Sequence, residues 1–459
     1  MNTTSSTGTI RPTGTIRTRR HTRRRVLGST TIACGLLLAA CGASAPAAQQ
    51  VNTNPTTGGE IAWWMLTNNQ NEPQILQEQV FKDYLRDRPQ VKLAINVISG
   101  WDTVNSKLLA AMAAGTPPDI ARIKDYWTSD YVSRDSLLPL DPYVKADKID
   151  LVAKHGTARL FSCQQDGKTY ALPFTTVSLH QYFNADLLRE YGYVKGTTVT
   201  PPDTWQERRE MAVRMTDRAR DRWGSAHRSY GASQSTTTDY MQFAMQNGVE
   251  WMNADRTKFT FNTPEGIETL QYLQDMVWKD QSTIPPDYKI DKPKETGKVA
   301  LWTEGAWQIP AYRSGFPDLK FGVALNPQKK TRTLMVQGNN LAIFKDSKQR
   351  DLAWTAARHM NKVESDLLWN SAGGYPPVAL ANKDKPPFST DPDWMTVMTQ
   401  LGRPDSKPYP IVTNYQEMMN QFGEEATFAL SNKKTAKDAL ADAQRRLQVL
   451  LDVENAKRK

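Results

Sequence analysis

Glu60-Ile61-Ala62-Trp63-Trp64-Met65-Leu66 is an apolar run of strand length, and the pattern around it decides the fold. A polar turn, Thr67-Asn68-Asn69-Gln70-Asn71, leads into a segment from Glu72 to Arg88 in which Ile75, Leu76, Val80, Phe81, Tyr84 and Leu85 recur at helical spacing. Pro89 stops that helix, because its ring clashes with the preceding turn and it has no amide hydrogen to donate. Val91, Leu93, Ile95 and Val97 then alternate, as in a strand with one buried face. A second helix follows Trp101 and Asp102, carries Val104, Leu108, Leu109 and Met112 on one side, and ends near Gly115. The order β-α-β-α predicts an α/β lobe with a parallel core.

Composition narrows the rest. A chain of 459 residues, 39% hydrophobic, has room for two or three domains. Its formal charge of +10 invites a nucleic-acid reading, but residues 1–40 hold seven arginines and no acid; removing those seven leaves +3 on the remainder. The basicity belongs to the leader. There, Arg23-Arg24-Arg25 precede an apolar run from Val26 to Ala40 that is too short to span a membrane. The run ends Leu38-Ala39-Ala40-Cys41-Gly42, which resembles a bacterial lipoprotein signal, with cleavage before Cys41 and a lipid on its sulfur. Thr22-Arg23-Arg24-Arg25-Val26-Leu27 resembles a twin-arginine export signal. Residues 1–40 are therefore read as a signal peptide and 41–58 as a flexible tether of small and polar residues. The expected location is extracytoplasmic, lipid-anchored to the cell membrane. Of the three cysteines, Cys34 is discarded with the leader and Cys41 is lipidated, so Cys163 has no partner and no disulfide framework exists.

The middle of the chain alternates helices and short apolar strands. Ile267, Leu270, Leu273, Met276 and Val277 predict a helix over 266–279; 321–325 and 340–344 read as strands, 351–360 and 436–451 as helices. Val299-Ala300-Leu301-Trp302 reads as a buried strand that ends in a polar turn, Thr303-Glu304-Gly305, presenting Trp307 as a flat apolar face beside a carboxylate. Such a platform suits a sugar ring, with its apolar C–H faces and polar rim. Residues 213–240 fit no recognised pattern.

Several segments, in order along the chain, resemble the family 1 extracellular solute-binding proteins, the sugar-binding components of ABC importers. They are Ala113-Ala114-Gly115-Thr116-Pro117-Pro118-Asp119-Ile120, Leu137-Leu138-Pro139-Leu140-Asp141-Pro142-Tyr143, Asp166-Gly167-Lys168-Thr169-Tyr170-Ala171-Leu172-Pro173, Tyr182-Phe183-Asn184-Ala185-Asp186-Leu187, Pro201-Pro202-Asp203-Thr204-Trp205-Gln206-Glu207, Phe261-Asn262-Thr263-Pro264-Glu265 and Gly297 to Trp307. Phe183 stands where the family often has a tyrosine, and Val378 and Ala379 follow the Gly373–Pro377 turn where an arginine is usual. The resemblance implies an α/β, two-lobed periplasmic-binding-protein-like fold, each lobe a mixed sheet flanked by helices, joined by hinge strands. By that analogy one lobe takes 59–175 and 337–385, the other 176–336 and 386–459. It also implies capture of a mono- or oligosaccharide between the lobes by hinge closure, delivery to the permease of an ABC importer, a monomer, and no catalysis.

Enzyme signatures are missing: no HExxH, GxSxG, P-loop or GxGxxG occurs, the five histidines keep no metal spacing, and neither a cofactor nor nucleic acid is expected. Aromatics instead gather at strand ends. Trp307 falls where the family's stacking tryptophan falls, with Trp302 buried beneath it and Glu304 beside it. Of Trp63 and Trp64, alternation puts one in the core and one toward a cleft. Lys124, Asp125, Tyr126 and Trp127 follow the strand at Ile120, where open α/β sheets place ligands; Asp125 either accepts sugar hydroxyls or caps a helix. Gln337, Gly338, Asn339 and Tyr375 complete the expected contacts. The rival readings are a non-sugar solute such as glycerol phosphate, with Arg313 or Arg122 as its cation, and a secreted glycoside hydrolase.

Overall fold

The computed structural model describes residues 50–67, 71–231 and 234–457. The leader, Cys34, Cys41, half of the tether and the turn residues Asn68–Gln70 lie outside them.

Among the described residues thirteen strands follow in order: β1 (Gly59–Met65), β2 (Val91–Val97), β3 (Ile120–Lys124), β4 (Gln164–Gln165), β5 (Lys168–Thr169), β6 (Ala171–Asn184), β7 (Val194–Lys195), β8 (Thr198–Val199), β9 (Trp223–Ala226), β10 (Val299–Gly305), β11 (Phe321–Ala324), β12 (Met335–Ile343) and β13 (Lys407–Pro408). The expected β-α-β-α opening is present, with β1 parallel to both β2 and β3. One sheet runs in the order β2-β1-β3-β12-β6-β10-β9, with β11 beside β6 and β13 beside β12. β6 joins its two halves: Ala171–Ser178 pairs with β12, and Leu179–Asn184 pairs with β10 and β11. At 14 residues it is twice the length of β1, and nearly every side chain along it is buried.

Local chemistry explains most element ends. Asp166 and Gly167 both have positive φ, 50° and 74°, and turn β4 into β5 as an Asp-Gly hairpin. The Thr204 hydroxyl accepts from Glu207 N while the Glu207 carboxylate accepts from Thr204 N, a reciprocal cap that starts Trp205–Arg214. Thr263 likewise caps Pro264–Trp278, with proline where the missing amide hydrogen costs nothing.

Four expectations change. The 72–88 helix is interrupted: Glu72–Ile75 passes into a wider turn over Leu76–Val80 before Lys82–Arg86. β10 continues through Thr303 and Glu304 to Gly305, so these are strand residues and not a turn. β12 starts at Met335, which places Gln337, Gly338 and Asn339 inside a central strand. The unplaced segment 213–240 contains β9, parallel to β10, and the helix Gln234–Gln246.

The Arg122 guanidinium on β3 is a buried charge with no exposed surface. It donates to Glu72 Oε2 (2.9 Å), Leu66 O (3.0 Å), Asn339 Oδ1 (2.8 and 3.1 Å) and Tyr375 Oη (2.9 Å). Five directed donors thus tie β1, β3, β12 and the 375 loop together. Two histidines are buried: His155 lies between Val378 O and Asn361 Oδ1, and His180 on β6 contacts Ser178 Oγ.

Glu72→Ala, which strands Arg122, is expected to lower unfolding free energy by about 3–5 kcal/mol in urea titration, against less than about 0.5 kcal/mol for exposed Val152→Ala. Burial lowers His155 to about 4 and His180 to about 3, so the unfolded chain binds these protons first as pH falls. The stabilisation is present above the ordinary value near 6.5 and is lost as pH drops below it. Between pH 7.5 and 5 each histidine is expected to contribute about 2 kcal/mol of loss, and His180→Gln to flatten the slope of urea midpoint against pH.

Candidate functional site

Three half-buried tryptophans stand at the C-terminal ends of parallel strands: Trp64 on β1, Trp101 after β2 and Trp307 after β10. Ligands of open α/β sheets bind at such ends. Trp307 opens the helix Gln308–Gly315, and its ring lies flat over Gly305: a Cβ there would stand 2.0 Å from Trp307 Cζ3. Gly305 is thus required for close approach of the indole. Opposite, Gly374 (φ 80°) meets the same residue; a Cβ on it would lie 2.7 Å from Trp307 Cα and 2.8 Å from Pro310 Cγ. Trp307 therefore packs between β10 and the segment that closes the helix Val363–Gly373, while Trp302 is fully buried on β10, stacked with Tyr182.

Charge surrounds that platform. Glu304 accepts from Lys294 Nζ (2.9 Å), Arg228 Nε (3.3 Å) and Gly305 N (3.2 Å). Burial would raise its carboxyl, but Lys294 and Arg228 hold it below the usual glutamate value. Arg228, just beyond β9, also donates to Asp239 and Thr238, and its Cζ stands 6.0 Å from the Trp307 ring centre. Asp239 is pushed up to about 6 by burial, which Arg228 opposes. From the β3 side comes Lys124, whose Nζ lies 4.2 Å from the Trp101 ring centre. Burial brings that ammonium down to about 7; Asp125 and Asp102 support it, while Arg122 and Arg228 depress it further.

The other predicted residues go elsewhere. Trp63 is fully buried among Phe81 and Phe174, so alternation leaves Trp64 as the one with exposed surface. Asp125 accepts from Gly338 N (2.7 Å), Tyr126 N (3.0 Å) and Tyr409 Oη (2.5 Å), and lines a separate cavity of about 570 Å³ with Ser129, Gln164 and Arg256. It is a clamp between β3, β12 and the 409 segment; it does not cap the next helix, Trp127–Ser133. Tyr126 and Trp127 are buried, and both donate to Gln416 Oε1. Gly338 leaves space for Arg159, whose Nη2 would meet a Cβ at 2.4 Å. Asn339 spends its Oδ1 on Arg122 and Thr175, and Tyr375 bridges Arg122 and Glu72. Gln337 differs: its Nε2 is buried without a partner. Arg122 is committed as above, and Arg313 is a surface residue paired with Asp391 and Asp393.

Sequence reading passed over Arg228, Asp239 and Trp101. Trp101 carried a signal, a large aromatic beside a strand end, whereas Arg228 and Asp239 lie in the segment that fitted no pattern. Among the described residues no group of three His, Cys, Asp or Glu side chains could hold a metal ion, and no helix is long and apolar enough to cross a membrane.

Residues 67–365 match the family profile described as bacterial extracellular solute-binding protein. A binding protein of Brucella abortus (strain 2308) is 24% identical over 350 residues, spanning 74% of this chain and 81% of its own. The arabinooligosaccharide-binding protein of Bacillus subtilis (strain 168) is 24% identical over 357 residues, 74% of this chain and 76% of that one. Among solved structures, an ABC substrate-binding protein from Listeria monocytogenes in complex with cycloalternan superposes with a TM-score of 0.76 at 19% identity, covering 86% of this chain and 99% of the other. The architecture is the two-lobed, mixed α/β fold of these binding proteins, with β6 joining the two half-sheets. The chain belongs to the bacterial extracellular solute-binding proteins.

Proposed function

We propose that this chain is the substrate-binding component of an ABC importer, capturing a carbohydrate between its lobes and handing it to a membrane permease without chemical turnover. The observation that carries this reading is the Trp307 platform: a half-buried indole on Gly305, flanked by Glu304 and Arg228, where one lobe meets Gly374 of the other. A pyranose or furanose ring stacks on such a face through its C–H bonds and hydrogen-bonds at its edge. Trp64 and Trp101 supply further apolar surface, and Gln337 Nε2 is an unspent donor. That two relatives are named for, or solved with, saccharides (arabino-oligosaccharides and cycloalternan) supports the same class.

The mechanism follows from the shared strand. Residues 59–175 and 337–385 form one lobe, 176–336 and 386–459 the other, and rotation occurs where β6 passes from one half-sheet to the next. A ligand bridging both lobes stabilises the closed arrangement by its differential affinity, and the closed form docks on the permease. We further assign the leader to twin-arginine export, Cys41 to lipid attachment after cleavage, and the mature protein to an extracytoplasmic, monomeric life tethered by residues 41–58.

Isothermal calorimetry of the mature protein against a saccharide panel is expected to find a saccharide ligand; no heat and no rise in melting temperature with any sugar, sugar acid, polyol or sugar phosphate defeats the reading. For that ligand, Trp307→Ala is expected to weaken affinity about 30-fold, the scale of an aromatic hot spot near 2 kcal/mol. Gly374→Ala, which forces the lobes apart at Trp307 without touching the indole face, is expected to weaken it as well, with a larger radius of gyration in the presence of ligand.

A further inference from the structure

On the β3 side of the cleft one buried charge has no counterpart. Lys124 is 8% exposed, and among the described residues its Nζ makes no ion pair or hydrogen bond, only the contact with the Trp101 face at 4.2 Å. The other cations around it are matched. Arg122 pairs with Glu72; Arg228 and Lys294 are held by Glu304, and Arg228 also by Asp239. Asp125, the next residue, points to the other face of the sheet by alternation, where Gly338, Tyr126 and Tyr409 occupy its oxygens. Asp102 is exposed and beyond ion-pair distance.

An ammonium taken out of water without a partner loses several kcal/mol of solvation, and a site retains one where a ligand supplies the opposite charge. We propose that Lys124 receives the carboxylate of an acidic sugar, so that the captured carbohydrate is a uronate-containing saccharide. This rests on the carbohydrate reading above and names its class. A carboxylate fits better than a phosphate ester, because a single unmatched positive charge balances a monoanion and leaves a dianion in excess. Pairing of Asn339 with Lys124 puts Gln337, two residues along β12, on the same face of the sheet, so its unpartnered Nε2 gives the edge a neutral donor beside the charged one. The Trp101 ring beside Lys124 displaces part of the water that would otherwise screen the contact, which makes one ion pair count for more than it does on a fully exposed surface.

The test is calorimetry of the mature protein with digalacturonate and diglucuronate, their carboxyl-reduced neutral counterparts, and galactose 1-phosphate. At least one uronate is expected to bind about 30-fold or more tightly than its neutral counterpart. Lys124→Gln is expected to remove most of that preference while leaving the neutral sugar within about threefold, and Lys124→Arg to restore part of it. A melting temperature of Lys124→Gln at or above the parent's shows the variant folded. Neutral sugars bound as tightly as uronates, equal weakening of both by Lys124→Gln, or preference for the phosphate would each overturn the acidic-sugar assignment alone. Absence of binding by every saccharide would overturn the carbohydrate reading as well.

Discussion

The backbone hydrogen bonds of β6 are the constraint on which the molecule is built. A strand has two edges, and this one spends them on different neighbours along its length: β12 up to Ser178, then β10 and β11 from Leu179 to Asn184. Because every buried amide and carbonyl needs a partner, neither half-sheet can dispense with it. The two half-sheets meet where the partners change. A few residues before that point the chain is reinforced and not loosened. β6 carries one extra residue, Phe174, opposite the Asn339–Asn340 step, and Arg159 covers the irregularity by donating to Thr175 O and Asn339 O. Gly338 has no side chain because Arg159 occupies that space.

The residues that first suggest ligand contact therefore divide by role. Those buried in or against the central strands, Asn339 on β12, Asp125 next to β3 and Tyr375 in the loop above them, are consumed in holding β3, β12 and the neighbouring loops in register. Those just past strand ends, Trp101, Arg228 and Trp307, keep surface or charge to offer. The division has a physical cause. Inside a sheet a polar side chain left unpaired carries its full desolvation cost, so the fold satisfies it internally; beyond the last hydrogen-bonded pair, solvent or a ligand can do so.

This also explains what could be read from the sequence and what could not. The β1–β3 lobe was legible because periodicity and Pro89 act locally, within a few residues. Trp302 and Trp307 were separable, since one sits in an apolar run and the other beyond a glycine. Register was not legible. That Gln337 begins inside β12, or that Glu304 lies on β10 under Lys294 and Arg228, depends on strands more than a hundred residues away. Residues 213–240 failed for a related reason: β9 is four residues long and is a strand only because β10 offers it an edge. Arg228 takes its place from that pairing, so its part in the cleft could not be seen before the sheet was.

Once placed, Arg228 connects electrostatics to motion. It belongs to the side of the sheet beyond the point where β6 changes partners, and Lys124 to the side before it, yet the Arg228 charge reaches Lys124 and disfavours its ammonium, after burial and Arg122. Two cations brought together across a hinge oppose closure, and more strongly as water leaves, because the local dielectric falls. Glu304 and Asp239 neutralise Arg228 from its own side, which reduces this opposition without removing it while Lys124 is protonated. An anionic group seated between the two sides reverses the sign of the interaction: what resisted closure becomes an attraction shared by both. A ligand acting in this way does more than fill the cleft. It changes the relative energies of the open and closed arrangements, which is the requirement for a bound solute to be signalled to a membrane partner by shape.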